Sequence, residues 1–168
     1  AHVAGTGSAD VTTAISNMKN TWYNIVALPF NDNANLGLME VEAARRFEST
    51  VQQDMQCYFG YADTASNSIT FSTDSLRNST HMVMIDGYKY TQHNAFIACM
   101  VAAEVTKSVE SDAGEPLHRI TLGALLPPVS TDRYEVSTLN TLTQNGICTL
   151  DPSSAGGPQT FGMVTMYL

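Results

Sequence analysis

The sequence predicts an α/β fold: a mostly parallel or mixed sheet with helices on both faces and a C-terminal β-hairpin. Three observations lead there. Strand-like apolar runs alternate with helix-periodic segments over the first three-quarters of the chain, the pattern of a parallel sheet with crossover helices. The runs are continuously apolar, as strands covered on both faces are. The last two runs are joined by a Pro- and Gly-rich loop, DPSSAGGPQ, with no helix between them. With 168 residues, 43% apolar and 14% charged, the chain suffices for one globular, soluble domain with a substantial core.

In order, AHVAGTGSA at residues 1 to 9 reads as a linker, and residues 10 to 168 as a single domain. Asp10 can cap a short helix through Val11, Ile15 and Met18. Trp22 to Leu28 reads as a strand covered on both faces and ends at Pro29. Asn31, Asp32 or Asn33 then caps a helix whose apolar face is Leu36, Met39, Ala43 and Phe47. Met55 to Tyr61 is a second strand. Asp63 or Thr64 opens a weaker helix with Ile69, Phe71 and Leu76, and Met82 to Ile85 is a third strand.

After an Asp86-Gly87 turn, Gln92 to Val109 carries Phe96, Met100, Val101 and Val105 at helical spacing and is the longest helix. Leu117 to Leu126 is either an edge strand or a loop before Pro127-Pro128, since proline is excluded from central ladders. Glu135 to Gln144 is a helix closed by Asn145-Gly146 in the left-handed cap role. Ile147 to Leu150 and Phe161 to Leu168 are the final strands. No internal repeat is visible. The missing initiator Met and the apolar end GMVTMYL suggest a piece of a longer chain.

A net charge of −8 with eight scattered cations argues against nucleic acid as a partner. No apolar run is long enough to span a bilayer and the start lacks a signal-peptide pattern, so no membrane insertion is expected. Cys57, Cys99 and Cys148 read as small core residues in a reducing compartment.

Chemistry is sparse. Gly5-Thr6-Gly7 has no strand before it and reads as linker rather than phosphate loop. Asn31, Asp32 and Asn33 sit where an open α/β sheet places ligand contacts, but helix capping is the stronger reading. Ser79, His81 and Asp86 are the residue types of a hydrolytic triad without a nucleophile elbow. The four histidines are too dispersed for a metal, and no cofactor is expected. Glu40 and Glu42, like Glu110 and Asp112, face different directions and read as solvated faces. Asp132 is either a cap or a dipole partner, with Tyr134 packing beside it; alternatively Arg133 reaches a neighbouring chain, and composition does not separate the two.

Three blocks, in order, resemble the tail sheath proteins of Mu-like phages and prophages: WYNIVALPFNDNANLGLM at residues 22 to 39, LRNSTHMVMI at 76 to 85, and LLPPVSTDRYEVSTLNTLTQNGICTL at 125 to 150. The third is the most specific, with Pro127-Pro128, Asp132-Arg133-Tyr134, Asn140-Thr141-Leu142 and Gly146-Ile147 in register with the family pattern.

The resemblance implies the carboxy-terminal half of a structural viral protein, not an enzyme. Such a subunit would assemble with copies of itself into stacked hexameric rings around a tail tube, with baseplate and tail terminator proteins as further partners. It would reside in the virion tail, and in the host cytoplasm during assembly. Family members carry further N-terminal domains and a C-terminal strand-exchange arm, so this chain would lack its C-terminal extension. Arg133, Tyr134, Met163, Val164 and Met166 are the candidate subunit or tube interface. The helix at 135 to 144 is expected to contact the tube or an adjoining subunit, and the edge of the terminal strand to be completed by another segment or subunit. The competing class is a soluble α/β ligand-binding or hydrolase-like domain using the loops at 29 to 35 and 86 to 91.

Overall fold

The computed structural model describes residues 10 to 74, 78 to 152 and 157 to 167. The expected linker at residues 1 to 9, and Leu76, Arg77 and Leu168 within expected elements, lie outside the described residues.

The elements run α1 (Thr12–Met18), β1 (Ile25–Leu28), α2 (Asn33–Phe47), β2 (Gln56–Tyr61), α3 (Ala65–Ser72), β3 (Met82–Asp86), α4 (Asn94–Ser111), a 3-10 turn (Ser130–Asp132), α5 (Val136–Gln144), β4 (Ile147–Asp151) and β5 (Gln159–Gly162). The five strands lie in sequential order, β1 to β4 parallel and β5 antiparallel to β4. The sheet is therefore mixed, and its last pair is the expected C-terminal antiparallel strand pair.

Two apolar layers cover it. On one face Leu36, Met39 and Ala43 of α2 and Leu142 of α5 pack on Cys57, Phe59, Met82 and Met84. On the other, Ile97, Ala98, Val101 and Val105 of α4 pack on Tyr58, Val83 and Ile85, with Leu122 and Leu125 filling in beside them. β3 is buried at every position because it is central and covered on both sides.

Several expectations need correction. β1 begins at Ile25 and is the edge of the sheet, so its residues are mostly half-buried and Trp22 is 61% exposed. Trp22 still has a role, since its indole N–H donates to the Asp54 carbonyl at 3.2 Å. Phe47 falls on the right stripe of α2 but is its last residue; it is 58% exposed and its ring packs on His81 at 5.1 Å. On α4, Val101 and Val105 are buried as expected, but Ile97 and Ala98 fill the first turn in place of Phe96, which is exposed, and Met100 is half-buried. Cys57 and Cys148 are core residues, whereas Cys99 is exposed on α4.

The last strand is the largest departure. β5 covers only Gln159–Gly162, and the chain beyond it leaves the ladder. Its outer edge is met by the chain itself: the Arg119 amide donates to Thr160 O, Thr160 to Ile120 O, and Leu122 to Pro158 O. The ambiguous segment after Leu117 is thus a loop with one strand-like bridge, Thr121 to Gln159. Among the described residues no strand pairs with the outer edge of β1.

Two glycines fix close approaches. A Cβ on Gly60 in β2 would collide with the Asn94 carbonyl, so the α4 N-terminus can sit on the strand only if residue 60 has no side chain. Gly146 has a φ of +73° and closes α5 in the left-handed cap, where the Asn145 amide donates to Leu142 O and Gly146 to Thr143 O.

Candidate functional site

The loop at 29 to 35 is engaged in capping. Asp32 caps α2, its Oδ1 accepting from the Asn35 amide at 3.0 Å. Bonds from the Asn35 side chain and backbone hold the Asp32 carboxyl below its ordinary range. Asn35 Oδ1 in turn accepts from the Val11 amide at 3.0 Å, tying α1 to α2.

At the other loop, the C-terminal end of β3 carries a cell of polar side chains. Asp86, Tyr88 and Tyr90 meet Asp132 and Tyr134 around a cavity of about 10 Å³. The Tyr88 and Tyr134 rings stack at 4.7 Å and 8°, and the Tyr134 hydroxyl donates to Asp63 O at 3.5 Å. Burial pushes the Asp86 carboxyl up to about 7 and raises both Tyr90 and Tyr134. Convergent polar groups and a shifted carboxyl are marks of a ligand site. The space, however, is about that of one water molecule, so the crevice is filled by the 127 to 134 turn instead of being left for a substrate. Ser79 and His81 precede β3 and Asp86 ends it, so the three triad residue types do not converge.

The expected interface residues fall into two groups. Arg133 and Tyr134 are half-buried on the turn, Arg133 Nε donating to the Pro128 carbonyl at 3.0 Å. Met163, Val164 and Met166 lie on the tail after β5. Met163 and Val164 are half-buried, Met163 Sδ lying 2.9 Å from Cys148 Sγ. Met166 is only 2% exposed and its amide donates to Met82 O at 3.0 Å. Tyr134 thus sits beyond the C-terminal end of β3 and Met166 beside its start, at opposite ends of the strand.

Between the tail and α2 lies an apolar cleft of about 240 Å³, lined by Leu36, Gly37, Val41, Phe59, Met82 and Met166, with Asn33 and Glu40 at its margin. A Cβ on Gly37 would meet nothing within 4 Å, and Val41 is 70% exposed. With Leu38 also exposed, α2 presents an apolar flank beside the cleft. Sequence reasoning finds Leu36 and Met166 but not the cleft, because its width depends on where the tail returns. The signal available is Val41 lying off the buried stripe of α2.

Sequence reasoning also misses Glu42 and Arg46. Glu42 is buried and accepts from Arg46 Nε at 2.7 Å and from Arg45 Nε at 2.8 Å. Arg45 first, then Arg46, holds the Glu42 carboxyl below its ordinary range against the opposing effect of burial. The Arg46 guanidinium continues to Thr21 O at 2.7 Å and Lys19 O at 2.9 Å, pinning the chain between α1 and β1. Among the described residues no cluster of three or more metal-ligating side chains occurs, and no helix is long and apolar enough to cross a membrane.

No protein-family model matches the chain. Over 163 residues it is 28% identical to the Mu-like prophage FluMu tail sheath protein of Haemophilus influenzae, a match that covers 97% of this chain and 33% of that protein. It therefore spans a third of that relative's length, in the carboxy-terminal part, less than the expected half. Among solved structures, the sheath tail protein of Desulfitobacterium hafniense superposes with a TM-score of 0.59 at 13% identity, covering 94% of this chain and 36% of that one. The helical sheath of the anti-feeding prophage in its contracted state gives 0.56 at 12% identity, over 90% of this chain and 41% of that one. A chain of the six-fold symmetrised anti-feeding prophage baseplate gives 0.57 at 12% identity, over 93% and 42%. Over nearly its whole length, the chain is similar in sequence to a Mu-like prophage tail sheath protein and shares the fold of tail sheath subunits.

Proposed function

We propose that the chain is the α/β domain of a contractile tail sheath subunit, polymerising around a tail tube and shortening to drive the tube through a host envelope. Sequence similarity to a tail sheath protein over 97% of the chain carries this reading. The cell at Asp86, about 10 Å³ in size, is too small for a substrate and weighs against the ligand-binding or hydrolase-like alternative at the 86 to 91 loop. On this reading the domain is a rigid block and makes or breaks no bond. Contraction draws on interfaces that differ in free energy between two packings, with no cofactor consumed.

Copies of the same subunit in stacked hexameric rings, the tube, the baseplate and the terminator are the proposed partners, in the virion tail and, during assembly, in the host cytoplasm. Residues 10 to 168 would form a single sheath-type domain. Two surfaces are suited to contacts: the α2 flank with its cleft, and the turn with Arg133, Tyr134 and the following α5. The net charge of −8 makes nucleic acid a poor partner. The test is sedimentation of the complete gene product that carries these residues. Salt-resistant, pelletable polymers are expected, and a monomer at every concentration would refute the reading.

A further inference from the structure

We propose that Asp86 and the tyrosines packed over it form a proton-operated latch that seats the 127 to 134 turn, with Arg133 and Tyr134, on the ends of the parallel strands. The latch stands on geometry within a single subunit and goes beyond the sheath reading, so either can fail without the other.

Asp86 is the last residue of β3 and is 4% exposed. Its carboxylate accepts from the Tyr88 amide at 3.4 Å, a long bond for a buried charge. Among the described residues no ion pair reaches it. Tyr88 and Tyr90 face it from the loop after β3, and Asp132 and Tyr134 from the turn. Cys148 and Asp151 lie on the β4 side, Arg133 acts on Tyr90, and Asp63 lies under Tyr134. The N-terminus of α4 contributes the neutral Asn94, beside Gly87. The Tyr90 hydroxyl is buried in the cell without a hydrogen-bond partner among the described residues.

A neutral Asp86 fits this cell, because burial costs an uncharged carboxyl far less than a carboxylate. An ionised Asp86 does not. It has one long bond, the Asp132 carboxylate lining the same cell, and space for about one water. Charge on Asp86 therefore favours the arrangement that admits solvent, with the turn and the Tyr88–Tyr134 stack lifted. Closure and protonation are linked, each favouring the other. The same burial pushes the carboxyl up to about 7, where modest pH changes alter its charge.

The test is a carbon-13 carboxyl titration of the 168-residue chain, together with amide exchange at residues 129 to 134 corrected for intrinsic pH dependence. The expected Asp86 midpoint is near 7, and protection of the turn should fall by up to roughly tenfold between about pH 6 and 8. Asp86→Asn should hold protection constant over that range. Tyr90→Phe removes a hydroxyl that has no partner, so it should fold; it makes the cell drier and should raise the midpoint further. A midpoint in the ordinary aspartate range, protection that tracks identically in wild type and Asp86→Asn, or a midpoint unmoved by Tyr90→Phe would each overturn the latch.

Discussion

The guanidinium of Arg46, which has no exposed surface, donates from Nε to Glu42 Oε1 at 2.7 Å. It also donates to two backbone carbonyls, those of Lys19 and Thr21. Lys19 itself has a φ of +45°, so the loop it fixes is held in a conformation that L-residues rarely adopt. Arg46→Ala leaves a buried carboxylate short of a partner and two carbonyls unsatisfied. The expected loss is about 3 kcal/mol, at the low end for a broken buried pair because Arg45 remains on Glu42. Arg46→Lys, lacking the planar fork, should recover less than roughly half of it. Urea unfolding of the three proteins checks both values.

Two glycines should respond in opposite directions. Gly60→Ala drives a methyl into the Asn94 carbonyl and should cost about 2 kcal/mol or more through displacement of α4. Gly37→Ala, in the interior of α2 with open space above it, should gain up to about 1 kcal/mol from helix propensity. Thermal unfolding of the pair decides whether the two positions are as different as the geometry says.

Stability should also depend on pH through Asp86. Its folded value lies above its unfolded one, so the folded state holds the proton longer and the stability contributed is fully present below the ordinary value of 3.8. It is lost as pH rises towards about 7. The unfolding free energy of Asp86→Asn minus that of wild type should therefore grow across this window, by at most on the order of 4 kcal/mol, and then level off. Glu42 acts with the opposite sign. Its lowered value makes its contribution complete above the ordinary glutamate range and lost as pH falls through the folded value. Denaturant titrations at several pH values separate the two.

The strands are legible in the sequence wherever burial is two-sided. Met82 to Ile85 is a continuous apolar run, and Ile147 to Leu150 is apolar apart from Thr149, because both faces are covered, and the residues carry that directly. Caps are legible for a similar reason, since Asp32, Thr64 and Gly146 act through local geometry. What depends on distant parts of the chain is not. Trp22 reads as buried because its neighbours are apolar, but edge position is a property of sheet order. Glu42 and Arg46 read as a solvated face and a scattered cation because sequence spacing does not reveal a loop laid over them. Phe161 to Leu168 reads as a strand from its composition, yet Arg119 to Leu122 occupies the neighbouring edge and Gly162 packs on Thr143.

That tail geometry changes how the interface should be probed. Deleting residues 161 to 168 would remove Met166 from the core and confound assembly with folding. Val41→Glu at the margin of the cleft changes a side chain that is 70% exposed. It should leave the melting temperature within a few degrees while reducing polymer formation by the complete gene product at least roughly tenfold, about 1.4 kcal/mol per contact. Arg133→Glu should likewise impair co-assembly with the tube. Sedimentation alongside thermal unfolding distinguishes a surface effect from a folding one.

Electron microscopy of the complete gene product, purified and concentrated, shows whether copies of this domain polymerise into a sheath. Hollow cylinders with regular cross-striations are expected, in which copies of this domain are repeated around a central bore. Discrete single particles under all assembly conditions, or turnover of a small molecule by such particles, would contradict the sheath reading.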